Sequence, residues 1–108
     1  TLADPCPLAP LEAMAAGVAT VMSSSTYNGT AELIRQGEAV ILSNPHDPEE
    51  IAAVLLKLMN PHVRQQVAEK GQQLVRQLTW DNTAAVTAAA YQDVIQSKTL
   101  DRQVAGAA

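Results

Sequence analysis

The residues of this chain best suited to chemistry are two carboxylates, Asp4 and Glu12, with seven residues between them in Asp4-Pro-Cys-Pro-Leu-Ala-Pro-Leu-Glu12. They straddle a predicted loop-to-helix junction. Such a junction aims unpaired backbone N–H groups and the positive end of the helix dipole outward, which suits an anion. Asp4 sits on the loop before the helix. Glu12 lies in the first turn, where it can accept from hydroxyl donors beside the anion. A diphosphate flanked by two polyols, a sugar on one side and a ribose on the other, fits that layout. The spacing alone leaves a plainer alternative open, with Glu12 complementing the helix dipole and Asp4 a solvated loop residue.

Other polar residues have plainer readings. Ser23, Ser24 and Ser25 close a strand and read as turn chemistry, with lining of a site as the alternative. Gly29 reads as a helix-entry turn rather than a point of ligand approach. Glu32 suits a structural role at a helix start. His46 and His62 stand near helix starts with no acid or second histidine at ligand spacing, and read as solvated. Cys6 has no partnering base and reads as a small apolar filler. Trp80 and Tyr91 read as packing anchors of the last helix. No Asp-x-Asp pair exists to hold a metal across a diphosphate, so no metal or cofactor is implied.

Composition bounds what these residues can belong to. The chain has 108 residues, 7 basic and 11 acidic, for a formal charge of -4 and a pI near 4.9. One domain is the ceiling. Scattered Lys and Arg argue against nucleic acid, and 47% hydrophobic residues with 17% charged argue against disorder. No apolar run approaches the roughly 20 residues of a membrane span. A single cysteine excludes an internal disulfide framework, and the default expectation is a cytoplasmic chain. With no Phe, one Trp and two Tyr, the core must be aliphatic, Ala-rich and Met-containing. The opening at Thr1, inside an apparent loop, suggests a fragment of something longer.

Punctuation residues divide the chain into elements. Pro5, Pro7 and Pro10 keep the opening extended, and Pro10 begins a short helix over Leu11–Ala16 with Gly17 as its left-handed cap. Val18–Met22 and Ala39–Leu42 are short apolar runs between breakers, hence buried strands. Between them, Thr26–Gly29 is a turn and Thr30–Gln36 a short helix ended by Gly37. Asp47-Pro48 and Asn60-Pro61 are cap-plus-proline starts. The first opens a helix with Ile51, Val54, Leu55 and Leu58 inward; the second opens one through Leu78 with Val63, Val67, Leu74 and Val75 inward. Thr79-Trp80-Asp81-Asn82 opens a last helix carrying Val86, Ala90, Tyr91, Val94 and Ile95 to about Ser97. Lys98–Ala108 reads as a frayed tail. Two parallel strands and about five helices make this α/β material. Two strands are a poor sheet, so either further strands lie upstream or two copies pair.

From Asp4 to Ile95 the chain resembles the C-terminal half of the nucleotide-sugar-binding domain of GT-B glycosyltransferases, specifically the large retaining group typified by sucrose, glycogen and lipopolysaccharide-core enzymes. The resemblance is carried by Asp4, seven residues and Glu12 within Leu11-Glu12-Ala13-Met14-Ala15-Ala16-Gly17. After a strand come Tyr27-Asn28-Gly29-Thr30-Ala31-Glu32-Leu33-Ile34 and Gly37. Pro45, Asp47-Pro48, Arg64, Thr79-Trp80 and Tyr91 then recur in order. The Asp-Pro-Cys opening and Asn-Gly-x-x-Glu-Leu-Ile are similar to the lipopolysaccharide core glucosyltransferase branch.

The resemblance implies a partial donor-binding domain over residues 1–97, the C-terminal half of a Rossmann-like fold. It implies transfer of a hexose from a UDP-sugar to a saccharide or lipid-saccharide acceptor, with retention. Asp4, in place of the usual Glu, accepts from donor-sugar hydroxyls, and Glu12 binds the nucleotide ribose. Backbone amides around Leu8 and Ala9 face the sugar and the diphosphate. The missing N-terminal part supplies the basic residues, the nucleobase contacts and the acceptor domain, so this chain alone is not expected to catalyse. The parent is expected in the cytoplasm, peripheral at the inner membrane. Pro7, which lacks an N–H, and the shorter Asp4 depart from the family pattern. They keep two alternatives open: a non-catalytic binding or assembly module of the same fold, and an unrelated α/β interaction domain in which the acid pair is coincidence. An exposed sheet edge and apolar face lead to the expectation of a homodimer or a strand-exchanged dimer.

Overall fold

The computed structural model describes residues 2–35 and 37–107; the predicted helix end at Gln36 lies outside the described residues, as do Thr1 and Ala108. The chain divides into two units, Thr1–Arg76 and Gln77–Ala108. The first unit runs α1 (Ala9–Ala15), β1 (Val21–Ser23), a 3₁₀ helix (Gly29–Leu33), β2 (Val40–Leu42), α2 (Pro48–Met59) and α3 (Pro61–Val75). The second is α4 (Trp80–Gly106). β1 and β2 pair in parallel, Val21 opposite Val40 and Ser23 opposite Leu42. This is the α/β arrangement expected of part of a Rossmann-like domain.

Local chemistry sets the boundaries. α1 stops where Gly17 takes a φ of 74°; the Gly17 amide donates to Met14 and the Val18 amide to Ala13. That pair of bonds is a Schellman cap, and the left-handed turn favours glycine. The Gln72 side chain covers a further orphan carbonyl of α1, donating from Nε2 to Ala15 at 3.1 Å. α2 is capped by Asp47, whose Oδ1 accepts from the Glu49 and Glu50 amides. α3 is capped by Asn60 accepting from His62 and Val63. In both, proline occupies a first-turn position where no N–H is needed.

The core of the first unit is Met14, Met22 and Ala39, with Leu11, Ala31, Ile34 and Val75 packed against it. Met14 is 0% exposed. α3 approaches α1 closely at Gly71, where a Cβ would lie 2.7 Å from the Glu38 carbonyl oxygen and 3.1 Å from Met14 Cγ. Of the stripe expected on α2, Leu58 is buried and Ile51 and Val54 half-buried, whereas Leu55 is exposed. The buried stripe is narrower than the periodicity allows. The 3₁₀ helix replaces the expected Thr30–Gln36 helix, because Ile34 already has extended backbone angles.

α3 ends at Val75 rather than Leu78, because Thr79 has left the helical region to serve as the N-cap of α4. Thr79 Oγ1 accepts from the Asn82 amide at 3.2 Å. α4 continues past Ser97, through the stretch read as a frayed tail, to Gly106. No proline or glycine interrupts Lys98–Ala105, and the Ser97 and Thr99 hydroxyls bond back to the carbonyls of Val94 and Ile95. No residue of α4 is buried. Trp80, 88% exposed, and Tyr91, 69% exposed, are expected to anchor packing, but within their own unit a lone helix offers no second element to receive them. No helix among the described residues is long and apolar enough to cross a membrane.

Candidate functional site

The Asp4–Ala9 segment is fastened to the residues that follow β1. The Asp4 amide donates to the Tyr27 carbonyl and the Gly29 amide to the Asp4 carbonyl, both at 3.1 Å, forming a parallel bridge between Asp4 and Asn28. The Ser24 carbonyl accepts from the Tyr27 and Asn28 amides, which curls that stretch into a turn. Asn28, 1% exposed, accepts the Thr30 amide on Oδ1 at 3.0 Å. Thr30, 2% exposed, donates from Oγ1 to the Pro7 carbonyl at 3.1 Å. Gly29 lies so close to Pro5 that a Cβ there would overlap the Pro5 carbonyl. Gly29 thus permits one backbone segment to approach another.

The predicted site residues fall around this clasp. Asp4 is half-buried, and its Oδ1 accepts the Cys6 amide at 3.1 Å, an Asx turn. It lines an open recess of about 470 Å³ together with Ser25, Tyr27, Asn28 and Glu32. Leu8, the N-cap of α1, has no side-chain cap bond and is exposed, as is Ala9. The amides of Leu8, Ala9 and Leu11 have no acceptor among the described residues. Glu12 is exposed on α1, and its carboxylate has no hydrogen-bond partner among the described residues. The recess brings Asp4 together with Glu32 rather than with Glu12, which is not among its lining residues.

Several expectations need correction. Cys6 is exposed, so it fills no apolar space; what it contributes is its amide. Pro7, notable in the sequence for the donor it lacks, is buried and serves through its carbonyl. Glu32, expected only at a helix start, also borders the recess. Ser23 and Ser24 are occupied by strand and turn, whereas Ser25 reaches the recess. His46 and His62 are exposed, and the His46 ring meets Tyr27 edge-on at 6.2 Å. Among the described residues no three His, Cys, Asp or Glu side chains gather as a metal site. Asn28 and Thr30 are the positioning residues missed in the sequence. An Asn-Gly pair signals a turn, but nothing local announces a hydroxyl bond to a residue 23 positions away.

The loop after β2 is held by charge. Glu50 accepts the Ser43 amide at 2.7 Å and the Asn44 amide at 2.8 Å. These backbone bonds, Asn44 first and then Ser43, hold its carboxyl below the usual 4.5. A depressed folded-state value means the bond stabilises the fold above that range and is lost as acid protonates the group. In thermal unfolding, Glu50→Gln should lie below wild type at about pH 7, and the two should converge by about pH 3. A constant gap across that range would refute this role.

Two other recesses, of about 510 and 540 Å³, border α3. The first includes Arg64, whose guanidinium is already donating to the carbonyls of Leu58 and Met59. Neither recess shares a residue with the Asp4 segment.

Residues 1–61 match the family model of the glycosyl transferases group 1. A D-inositol 3-phosphate glycosyltransferase of Acidothermus cellulolyticus is similar, 26% identical over 91 residues. That alignment covers 84% of this chain and 20% of the relative, so the chain spans about a fifth of the length of the curated relative it matches. No solved structure matches at a comparable level of significance.

Proposed function

Since the chain belongs to the group 1 glycosyl transferases, we propose that it forms part of the donor side of an enzyme moving a hexose from a UDP-sugar to a saccharide or lipid-saccharide acceptor with retention. The observation that carries this reading is the clasped Asp4–Ala9 segment, which presents unpaired amides beside one carboxylate and ahead of another. Asp4 accepts from hydroxyls of the donor sugar, and Glu12 from the ribose. Leu8 and Ala9 amides donate to the diphosphate. As the bond from the anomeric carbon to the diphosphate oxygen breaks, negative charge gathers on the leaving group, and donors already aimed at it stabilise that charge. The acceptor hydroxyl bonds the anomeric carbon on the vacated face and passes its proton to the departing diphosphate oxygen. The opening Asp-Pro-Cys and the Asn-Gly-Thr-Ala-Glu-Leu-Ile stretch favour a lipopolysaccharide-core glucosyltransferase as parent, working in the cytoplasm at the inner membrane.

One observation favours a second reading, a binding or assembly module without catalysis. Asp4 Oδ1 is already engaged by the Cys6 amide, leaving one oxygen fully available to a sugar. Calorimetric titration of the parent enzyme with UDP and UDP-glucose separates the two. A charge-assisted hydrogen bond is worth about 1.5–3 kcal/mol, so Glu12→Gln should weaken UDP roughly tenfold or more. Asp4→Asn should weaken UDP-glucose and leave UDP nearly unchanged. Absent UDP binding, or binding indifferent to Glu12→Gln, establishes the module instead.

A further inference from the structure

We propose that the outer edge of β2 receives an extended acidic segment of a partner protein, added to the sheet as a further strand. This surface shares no described residue with the Asp4 recess, so the inference stands apart from the donor-site reading. The Val40 amide donates to the Thr20 carbonyl, and the Leu42 carbonyl accepts from the Ser24 amide. In a parallel ladder alternate residues face a given neighbour, so these two turn toward β1 and Ile41 turns its N–H and C=O away. No strand lies on that side among the described residues, and neither Ile41 group has a partner among them. Ile41 is 37% exposed. The next outward amide, that of Ser43, is taken by Glu50 at 2.7 Å, which closes the edge at that end.

The recess of about 540 Å³ runs along this edge. Ala39, Val40 and Ile41 all line it, although successive side chains of a strand point to opposite faces. Its far wall is one stripe of α3, Val63, Gln66, Val67 and Lys70, at helical three- and four-residue steps. Lys57 of α2 adds a second cation. Among the described residues, neither β1 nor any carboxylate contributes to the lining, and neither lysine has a hydrogen bond or ion pair. The Lys70 stem passes over Gly37, where a Cβ would sit 3.2 Å from Cδ and 2.9 Å from Nζ. Free backbone groups, an apolar floor and two cations, in a chain of net charge -4, complement an extended segment that carries Asp or Glu beside apolar residues. A second copy is disfavoured, because pairing two such edges puts the lysines of both in one seam.

The test uses the 108-residue chain, NMR and fluorescence anisotropy, with the blocked peptide Glu-Val-Thr-Val-Glu as probe. Binding should shift the Ile41 amide resonance and shield that amide from hydrogen exchange. Lys57→Gln and Lys70→Gln, both at exposed positions, should each weaken the peptide about two- to fivefold, the scale of one exposed ion pair. The double variant Lys57→Glu with Lys70→Glu should instead select Lys-Val-Thr-Val-Lys. Glu-Val-Pro-Val-Glu, which lacks the central N–H, should bind wild type several-fold more weakly. No response at Ile41, or an affinity indifferent to both lysines, overturns the proposal. Concentration-dependent protection of Ile41 without peptide also overturns it, by assigning the edge to a second copy. A parent enzyme that refuses the peptide its 108-residue segment accepts overturns the partner, by showing that the same polypeptide already holds the edge.

Discussion

Gly29→Ala should lower the stability of the first unit and release the Asp4 segment together. The added methyl would overlap the Pro5 carbonyl, which is backbone and has no rotamer with which to retreat. Relief requires the Asp4–Pro7 strand to lift from the turn, which strains the Asp4–Asn28 bridge and the Thr30–Pro7 bond. Overpacking of this kind costs about 1–3 kcal/mol, occasionally more. Against a marginal fold, even the lower end shifts the folded population several-fold. Thermal unfolding measures the loss, and hydrogen exchange locates it: the Gly29 amide, which donates to Asp4, should lose protection beyond the global change. An unaltered midpoint in Gly29→Ala would show that the two backbones do not meet as described.

Met14→Ala should have the largest purely structural effect in the chain. Met14 is wholly buried and joins Met22 and Ala39 in a core that also receives Leu11, Ala31, Ile34 and Val75. Truncating a buried methionine to alanine costs about 2–5 kcal/mol, the spread reflecting how far neighbours close the void. Closure is limited here because α3 already approaches through Gly71, where a Cβ would meet both Met14 and the Glu38 carbonyl. A helix-interior glycine is itself unfavourable by about 1 kcal/mol relative to alanine, so its presence marks a contact that leaves no room. Met14→Leu conserves volume and should cost under about 1.5 kcal/mol. Urea unfolding of the two variants should separate them clearly; equal midpoints would remove Met14 from the centre of the core.

The sequence was informative where the determinant is local. Asp47-Pro48 and Asn60-Pro61 begin helices as expected, Gly17 adopts the left-handed cap, and both apolar runs contribute residues to strands that pair in parallel. Boundaries slipped where a neighbour decides them. The expected first strand, Val18–Met22, narrows and shifts to Val21–Ser23, because Val18 closes the Schellman cap of α1 instead of extending β1. α3 yields its end to the Thr79 cap.

The site was half legible for the same reason. Asp4 and Glu12 stand out by type and spacing, yet the clasp that shapes their surroundings is made by partners far along the chain. Gly29 meets Pro5, and Thr30 meets Pro7. A one-dimensional pattern carries no trace of which hydroxyl will meet which carbonyl. Nor could the periodicity of α4 reveal that Trp80 and Tyr91 find no partner within their own unit, since an apolar stripe records a helical repeat and not the surface that receives it.

The stiffness of the Asp4–Pro10 stretch has a thermodynamic consequence. Pro5, Pro7 and Pro10 each hold one backbone torsion fixed, and the bridge at Asp4 and the hydroxyl tie at Pro7 remove much of the remaining play. The conformational entropy of this stretch is therefore surrendered during folding and not at the moment of encounter. On the donor-site reading proposed above, a nucleotide-sugar would meet a rigid template, and the disorder lost on docking would be chiefly its own.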